Sequence, residues 1–246
     1  MLRMLGRAND QDSIVNRVIL SVGSAIVEGR LKPGDDVNSV ELARTFETSR
    51  TPIREALLCL ERDGLVEITA RRRPRVARLR LAEVREIYQV REYLYGLVSR
   101  LVVEHATDDD LATLRGLQDR LAAAAETNDV DDYLWTNVEF RNAEAVTARN
   151  RQLMRILDDL GLRTLQLRHL SLSLPKRLGS SVADHAQLLR AYEERNAELA
   201  VAVTRALVRR GLAAIEGSGW TGSDEGVQNG PSRPASQSVD RSADPV

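Results

Sequence analysis

The sequence predicts a mainly α chain in two parts: an N-terminal winged helix-turn-helix, three helices plus a two-stranded wing, followed by an all-α antiparallel helical bundle. Three observations carry this. Residues 38–63 divide into two short amphipathic helices around a tight turn, and residues 64–79 alternate like a hairpin. From Leu81 to Glu216 apolar positions recur at helical spacing, with one proline, Pro175. The expected boundaries are 1–10 for a flexible lead-in, 11–79 for the first domain, 81–216 for the second and 217–246 for a disordered tail rich in Gly, Ser and Pro.

Taken in order, Ile14, Val18, Val22, Ala25 and Ile26 share one face of a first helix spanning 13–28, stopped at Gly29. Leu31-Lys32-Pro33-Gly34-Asp35-Asp36 is a turn. Asn38 can cap a second helix, with Glu41 three residues on as in a capping box, and Leu42, Ala43 and Phe46 face inward. Glu47-Thr48 turns the chain. Ser49 or Thr51 can cap the third helix, because Pro52 is tolerated only in a first turn. Ile53, Leu57 and Leu60 form its apolar stripe and leave Arg50, Thr51, Arg54 and Glu55 exposed at its start. Gly64 stops it, and Leu65–Thr69 and Arg75–Leu79 read as wing strands around Ala70-Arg71-Arg72-Arg73-Pro74.

A helix-turn-helix reads DNA with the first residues of its second helix, and a guanidinium suits a phosphate or the O6/N7 edge of guanine. The alternative is an ordinary helical hairpin with solvated arginines. Charge favours DNA: residues 50–80 hold nine Arg against four acids, a local +5, in a chain of net charge −1. The DNA-binding candidates are Ser49, Arg50, Thr51 and Arg54, with Arg71, Arg72 and Arg73 of the wing.

Gly29–Ala77, with Leu31-Lys32-Pro33-Gly34, Leu42-Ala43, Ser49-Arg50-Thr51-Pro52-Ile53-Arg54-Glu55-Ala56-Leu57, Leu60-Glu61 and Asp63-Gly64-Leu65-Val66, resembles the winged helix-turn-helix of GntR-family bacterial transcription regulators. The resemblance implies a dimeric, ligand-responsive regulator, with Arg50, Thr51 and Arg54 on DNA and the wing in the adjacent minor groove. The family's wing-tip glycine falls at Arg73, followed by Pro74.

The remaining helices are expected at 81–105, 109–126, 130–148, 151–173, 177–195 and 196–215, with 18 basic and 21 acidic residues over 81–216. Polar residues interrupt their apolar faces: Arg91 beside Tyr88 and Tyr95, Asn137 and Arg141 four apart, and His185 between Val182 and Leu189. A buried arginine is costly unless paired. Arg91, Tyr95, Asn137, Arg141 and His185 are therefore candidates for a polar, effector-binding cavity, although a carboxylate such as Glu139 or Glu144, or a place at the bundle rim, would satisfy any one of the polar groups. His105 and His169 read as structural or surface residues.

Tyr88-Gln89-Val90-Arg91-Glu92, Phe140–Asn150 and Asp184-His185 resemble the FCD (FadR-type C-terminal) effector domain found behind many GntR wings. In many members of that branch an Asp and three His hold a divalent metal. Carried over, those positions fall at Asn137, Arg141, His185 and near Leu207, so the resemblance implies a lost metal site, no cofactor, and an arginine-held organic anion, such as a carboxylate, in its place.

The length suits one large domain or two moderate ones, and 43% hydrophobic content supports a packed core. Cys59 alone precludes an intramolecular disulfide and fits a reducing compartment. No apolar run approaches the roughly 18–20 residues of a membrane span, and the N-terminus lacks a signal peptide's apolar core. No nucleophile–base pair or phosphate-binding glycine loop suggests an enzyme. The expected protein is a cytoplasmic homodimeric repressor, nucleoid-associated when bound to an inverted-repeat operator in double-stranded DNA, with an anionic effector and no membrane partner. The rival is an effector-independent or architectural DNA binder.

Overall fold

Ser13 opens the first helix by accepting from the Asn16 amide, and the computed structural model describes the chain from there to residue 220, the side chains of 161–163 apart. The elements are α1 (Ile14–Val27), α2 (Ser39–Thr45), α3 (Arg50–Arg62), β1 (Val66–Glu67), β2 (Arg75–Val76), α4 (Leu81–His105), α5 (Asp108–Glu126), α6 (Val130–Thr147), α7 (Arg151–Leu172), α8 (Arg177–Glu193) and α9 (Ala197–Gly217). The lead-in of residues 1–10 lies outside the described residues, as does the tail beyond Trp220.

In the N-terminal head, Val18, Ile19, Val22 and Ile26 of α1 meet Ile53, Leu57 and Leu60 of α3 in one core. Asn38 caps α2, its Oδ1 accepting from the Val40 and Glu41 amides at 3.0 and 3.5 Å. Glu47 takes the turn in a left-handed conformation, φ 49°. The wing strands are shorter than the sequence pattern implies, two residues each, paired Val66↔Val76 and Glu67↔Arg75. Pro74 has no amide hydrogen to extend the ladder. The other side of β2 is taken by residues 34–37, through Gly34 N–H to Val76 O, Val76 N–H to Asp35 O and Val37 N–H to Pro74 O.

The six helices of the C-terminal half start and stop within two residues of their expected bounds, and four of them begin at a side-chain cap. Thr107, Asp129, Asn150 and Asn196 each accept the amide three residues on. Thr107 and Asp110 form a reciprocal capping box. The backbone and side-chain bonds from Thr107 hold the Asp110 carboxyl below its ordinary range. That contribution is present at neutral pH and is lost as pH falls through the depressed value. Thr107→Ala will therefore cost about 1 kcal/mol, read by urea unfolding at pH 7, with a smaller loss at pH 3.

Helices α4 and α9 run antiparallel in close contact: Arg85 pairs with Glu216, Gly211 faces Tyr88, Ser99 bonds Thr204, and Arg195 reaches the Val103 carbonyl. α5 packs between α6 and α8. Residues 217–220, expected in the tail, belong to the fold: α9 continues through Gly217 and Trp220 packs against the core. Arg80 is the N-cap of α4, so the head runs into the bundle almost without a linker.

Head and bundle also touch directly. α1 packs on α7, and the Trp135 indole N–H donates to Glu28, the C-cap of α1, at 2.9 Å. Val27, Pro33 and Leu79 of the head face Gln166, Leu167 and Leu170 of α7 across a cleft that Trp220 closes.

Candidate functional site

On the head, the apolar stripe Ile53, Ala56, Leu57 and Leu60 is buried, and this turns the other face of α3 to solvent: Ser49, Arg50, Thr51, Arg54 and Glu55 are all exposed. Ser49 occupies the N-cap position, but its hydroxyl makes no cap bond. Arg50 and Arg54 lie one turn apart. Arg71, Arg72 and Arg73 are exposed at the wing tip. Among the described residues no acid holds Arg50, Arg54, Arg71 or Arg72, whereas Arg73 and Arg75 lie 3.9 and 2.8 Å from Asp36. The left-handed residue of the wing is Arg71, φ 63°, two residues ahead of the position given by the family's glycine. It is the third residue of a turn closed by Arg72 N–H to Thr69 O, and the left-handed third position belongs to type II turns.

In the bundle, Tyr88, Arg91, Tyr95, Asn137, Arg141, Arg168, Ser171 and Arg177 line one narrow cleft. Arg91 and Arg141 are both 6% exposed. Their guanidinium carbons lie 5.5 and 5.2 Å from the centre of the Tyr95 ring, which both therefore flank. Arg141 is paired with Glu144 at 2.8 Å. Burial is the largest influence and opposes its charge, but Glu144 together with Tyr95 and Tyr192 raises its pKa on balance. Glu144 was one of the two carboxylates the sequence offered for that role, and the other, Glu139, is taken by Arg120.

Glu144 leads away from the cleft into a chain of buried hydrogen bonds. The Tyr192 hydroxyl donates to its other oxygen, and Ser99 bridges Tyr192 at 3.0 Å and Thr204 at 2.7 Å. This chain ties α6, α8, α4 and α9 at the level of the cleft. Burial, then Glu144, raises the Tyr192 pKa well above its ordinary value, so the hydroxyl remains a donor.

His185 does not line the cleft. It is fully buried behind Asn137, edge-on to Phe140 with ring centres 5.1 Å apart. Its Nδ1–H donates to the Ser181 carbonyl at 2.8 Å, which leaves Nε2 to accept from the Asn137 amide at 2.9 Å. Asn137 Oδ1 in turn accepts from Arg168. His185 thus orients Asn137, and Asn137 orients Arg168.

Burial first, then Arg141 and Arg168, holds the His185 imidazole down to about 3, against the pull of the Ser181 carbonyl. The unfolded chain therefore binds a proton below its ordinary 6.5 that the folded chain refuses. Stability from His185 is full above that value and declines toward pH 3, by up to about 1.4 kcal/mol per pH unit. Urea midpoints of wild type and His185→Asn followed from pH 7.5 to 4.5 will converge as pH falls.

The residues do not fit the metal of the FCD branch. The His185 nitrogen that could bind it accepts an amide hydrogen, and Asn137, Arg141 and Leu207 offer neither charge nor a donor set for a divalent ion. Among the described residues, no three His, Cys, Asp or Glu converge.

Sequence reasoning missed Arg168, Ser171 and Arg177. The signal was weak: Arg168 shares a seam of α7 with Leu157, Thr164 and Ser171, and that seam is already polar.

A basic head joined to a bundle with a polar cleft defines a DNA-binding transcription regulator with an effector-binding domain. Residues 14–76 match the bacterial regulatory proteins of the gntR family and residues 86–210 match the FCD domain. The chain belongs to the GntR family, in the branch that carries an FCD domain. It is 28% identical over 176 residues to an uncharacterized HTH-type transcriptional regulator, YdhC, of Bacillus subtilis (strain 168), covering 71% of this chain and 79% of that one. It is also 28% identical over 180 residues to a probable D-xylose utilization operon transcriptional repressor of Paenarthrobacter nicotinovorans, covering 71% and 76%. The fold matches that of E. coli McbR/YncC with a TM-score of 0.74 at 24% identity, covering 84% of this chain and 98% of that one. The family and these relatives are transcription regulators, not enzymes. Among the described residues no helix is long and apolar enough to cross a membrane.

Proposed function

We propose that the chain is a cytoplasmic, nucleoid-associated repressor that binds a palindromic operator as a homodimer and is released or rearranged when a small anion enters the bundle. The observation that carries this reading is that one helix serves both ends. α7 presents Arg168, Ser171 and Leu172 to the cleft and Gln166, Leu167 and Leu170 to the head. α6 repeats the arrangement, with Asn137 in the cleft and Trp135 on Glu28.

In this reading Ser49, Arg50, Thr51 and Arg54 enter the major groove, and Arg71, Arg72 and Arg73 follow the backbone into the minor groove. Arg91, Tyr95, Asn137 and Arg141 contact the ligand, with His185 positioning Asn137. The ligand shifts the heads only by its difference in affinity for their two arrangements, about 1 to 3 kcal/mol. Support for a second copy comes from α4, where Val90, Tyr93 and Leu97 share an exposed face, 47%, 61% and 42% accessible. The Paenarthrobacter relative, by its name a probable repressor, supports repression.

Footprinting on the DNA upstream of the protein's own gene tests the reading. Two protected half-sites centred about 34–36 Å apart, or a multiple of that, are expected. Uniform protection along the fragment would point instead to an architectural binder.

A further inference from the structure

The cleft carries more positive charge than one anionic group can balance. Of its lining arginines, Arg141 is neutralised by Glu144. Arg91 and Arg168 have no carboxylate partner among the described residues, and no Asp or Glu lines the cleft. Arg91 rests on the rings of Tyr88 and Tyr95, with Nη1 buried and without a hydrogen-bond partner. Arg168 is bonded to the neutral amide oxygen of Asn137. Burial, reinforced by Arg91 and Arg141, holds Arg168 down to about 10, still charged at neutral pH. One further N–H of Arg141 and the Nε–H of Arg177 are likewise buried without acceptors. Arg177 stands half-exposed and bonds Ser180 at 3.0 Å, so water screens much of its charge.

An unpaired cation taken out of water is destabilising, and here the buried Arg91 and the half-buried Arg168 face one cleft and repel each other as well. Packing alone would favour a methionine or leucine at both positions. A ligand with one charge leaves one guanidinium uncompensated.

Resting on the anionic-effector reading above, we propose that the bundle's ligand is a small organic dianion, one charge read by Arg91 and the other by Arg168. Two carboxylates on a short chain or a single phosphomonoester meet this description equally. Arg168 is the residue that separates a dianion from a monoanion, and it sits on the helix that touches the head.

The test is melting-temperature shift and calorimetry on the full-length protein. The probes are C3 to C6 dicarboxylates, glycerol phosphate and sugar phosphates, with butyrate and lactate as monoanions. At least one dianion is expected to bind about tenfold or more tightly than the monoanion of its size, as one charge-assisted contact allows. Arg168→Gln is expected to remove that advantage and leave monoanion affinity within about threefold, while Arg168→Lys restores part of it. Tighter binding of glycerol phosphate or a sugar phosphate than of any dicarboxylate marks a phosphomonoester, and the reverse order marks a dicarboxylate.

If monoanions bind as tightly as dianions, or Arg168→Gln leaves the preference intact, the two-charge proposal fails while the anionic reading stands. If no anion binds, both fail.

Discussion

Replacing Glu144 by leucine will lower the unfolding free energy by about 3 to 5 kcal/mol. Glu144 is fully buried and serves two partners, taking a charge-assisted bond from Arg141 and the hydroxyl hydrogen of Tyr192. Without it, Arg141 becomes a buried cation with no counter-charge, and the Thr204–Ser99–Tyr192 chain loses its terminal acceptor. The midpoint of urea unfolding at pH 7 will fall with little change in slope. Adding Arg141→Met will recover most of the loss, because the cost lies in the stranded charge and not in the volume. A single-variant loss below about 1 kcal/mol would mean that the pair does not hold the bundle together.

The second large effect is on DNA. Arg50→Ala and Arg54→Ala will each weaken operator binding by about 1 to 3 kcal/mol if the guanidinium reads a guanine edge, and base preference will relax at the contacted position. Arg72→Ala will weaken binding to every sequence alike and reduce the salt slope by about one. Titrations of the footprinted duplex and a scrambled duplex at several salt concentrations separate the two behaviours. Arg50 and Arg54 stand on a rigid helix whose other face is core, whereas Arg72 follows the left-handed Arg71 at the end of a two-stranded wing. A uniform, salt-dependent loss for all three would assign the helix arginines to phosphate.

Most of the fold was legible because one simple pattern covers it. Of the stripe Val84, Tyr88, Leu94, Tyr95, Val98 and Leu101, with Arg91 within it, all are buried but Leu94 and Leu101, which are half-buried at its edge. Arg91 announced a polar cleft by breaking an apolar series. Arg168 was hidden because its seam is already polar, with Thr164 and Ser171 on either side, so its charge did not stand out.

His185 was read as facing a cavity, since spacing places a residue on an inner face but not at the front or back of it. Its location was decided by the Ser181 carbonyl and the Asn137 amide. The wing resisted for a different reason: the left-handed conformation at Arg71 comes from turn closure and not from residue type. Trp220 lay among glycine and serine, and composition obscured the one large apolar side chain there.

The most direct test of the whole account is the affinity of the full-length protein for its footprinted duplex, followed by fluorescence anisotropy with and without the dianion that raises the melting temperature most. The account predicts a change of about fivefold or more on saturation, the low end of ordinary allosteric coupling. It also predicts that Arg168→Gln binds ligand-free DNA as the wild type does and loses the response. Equal wild-type affinities with and without the bound dianion would contradict it.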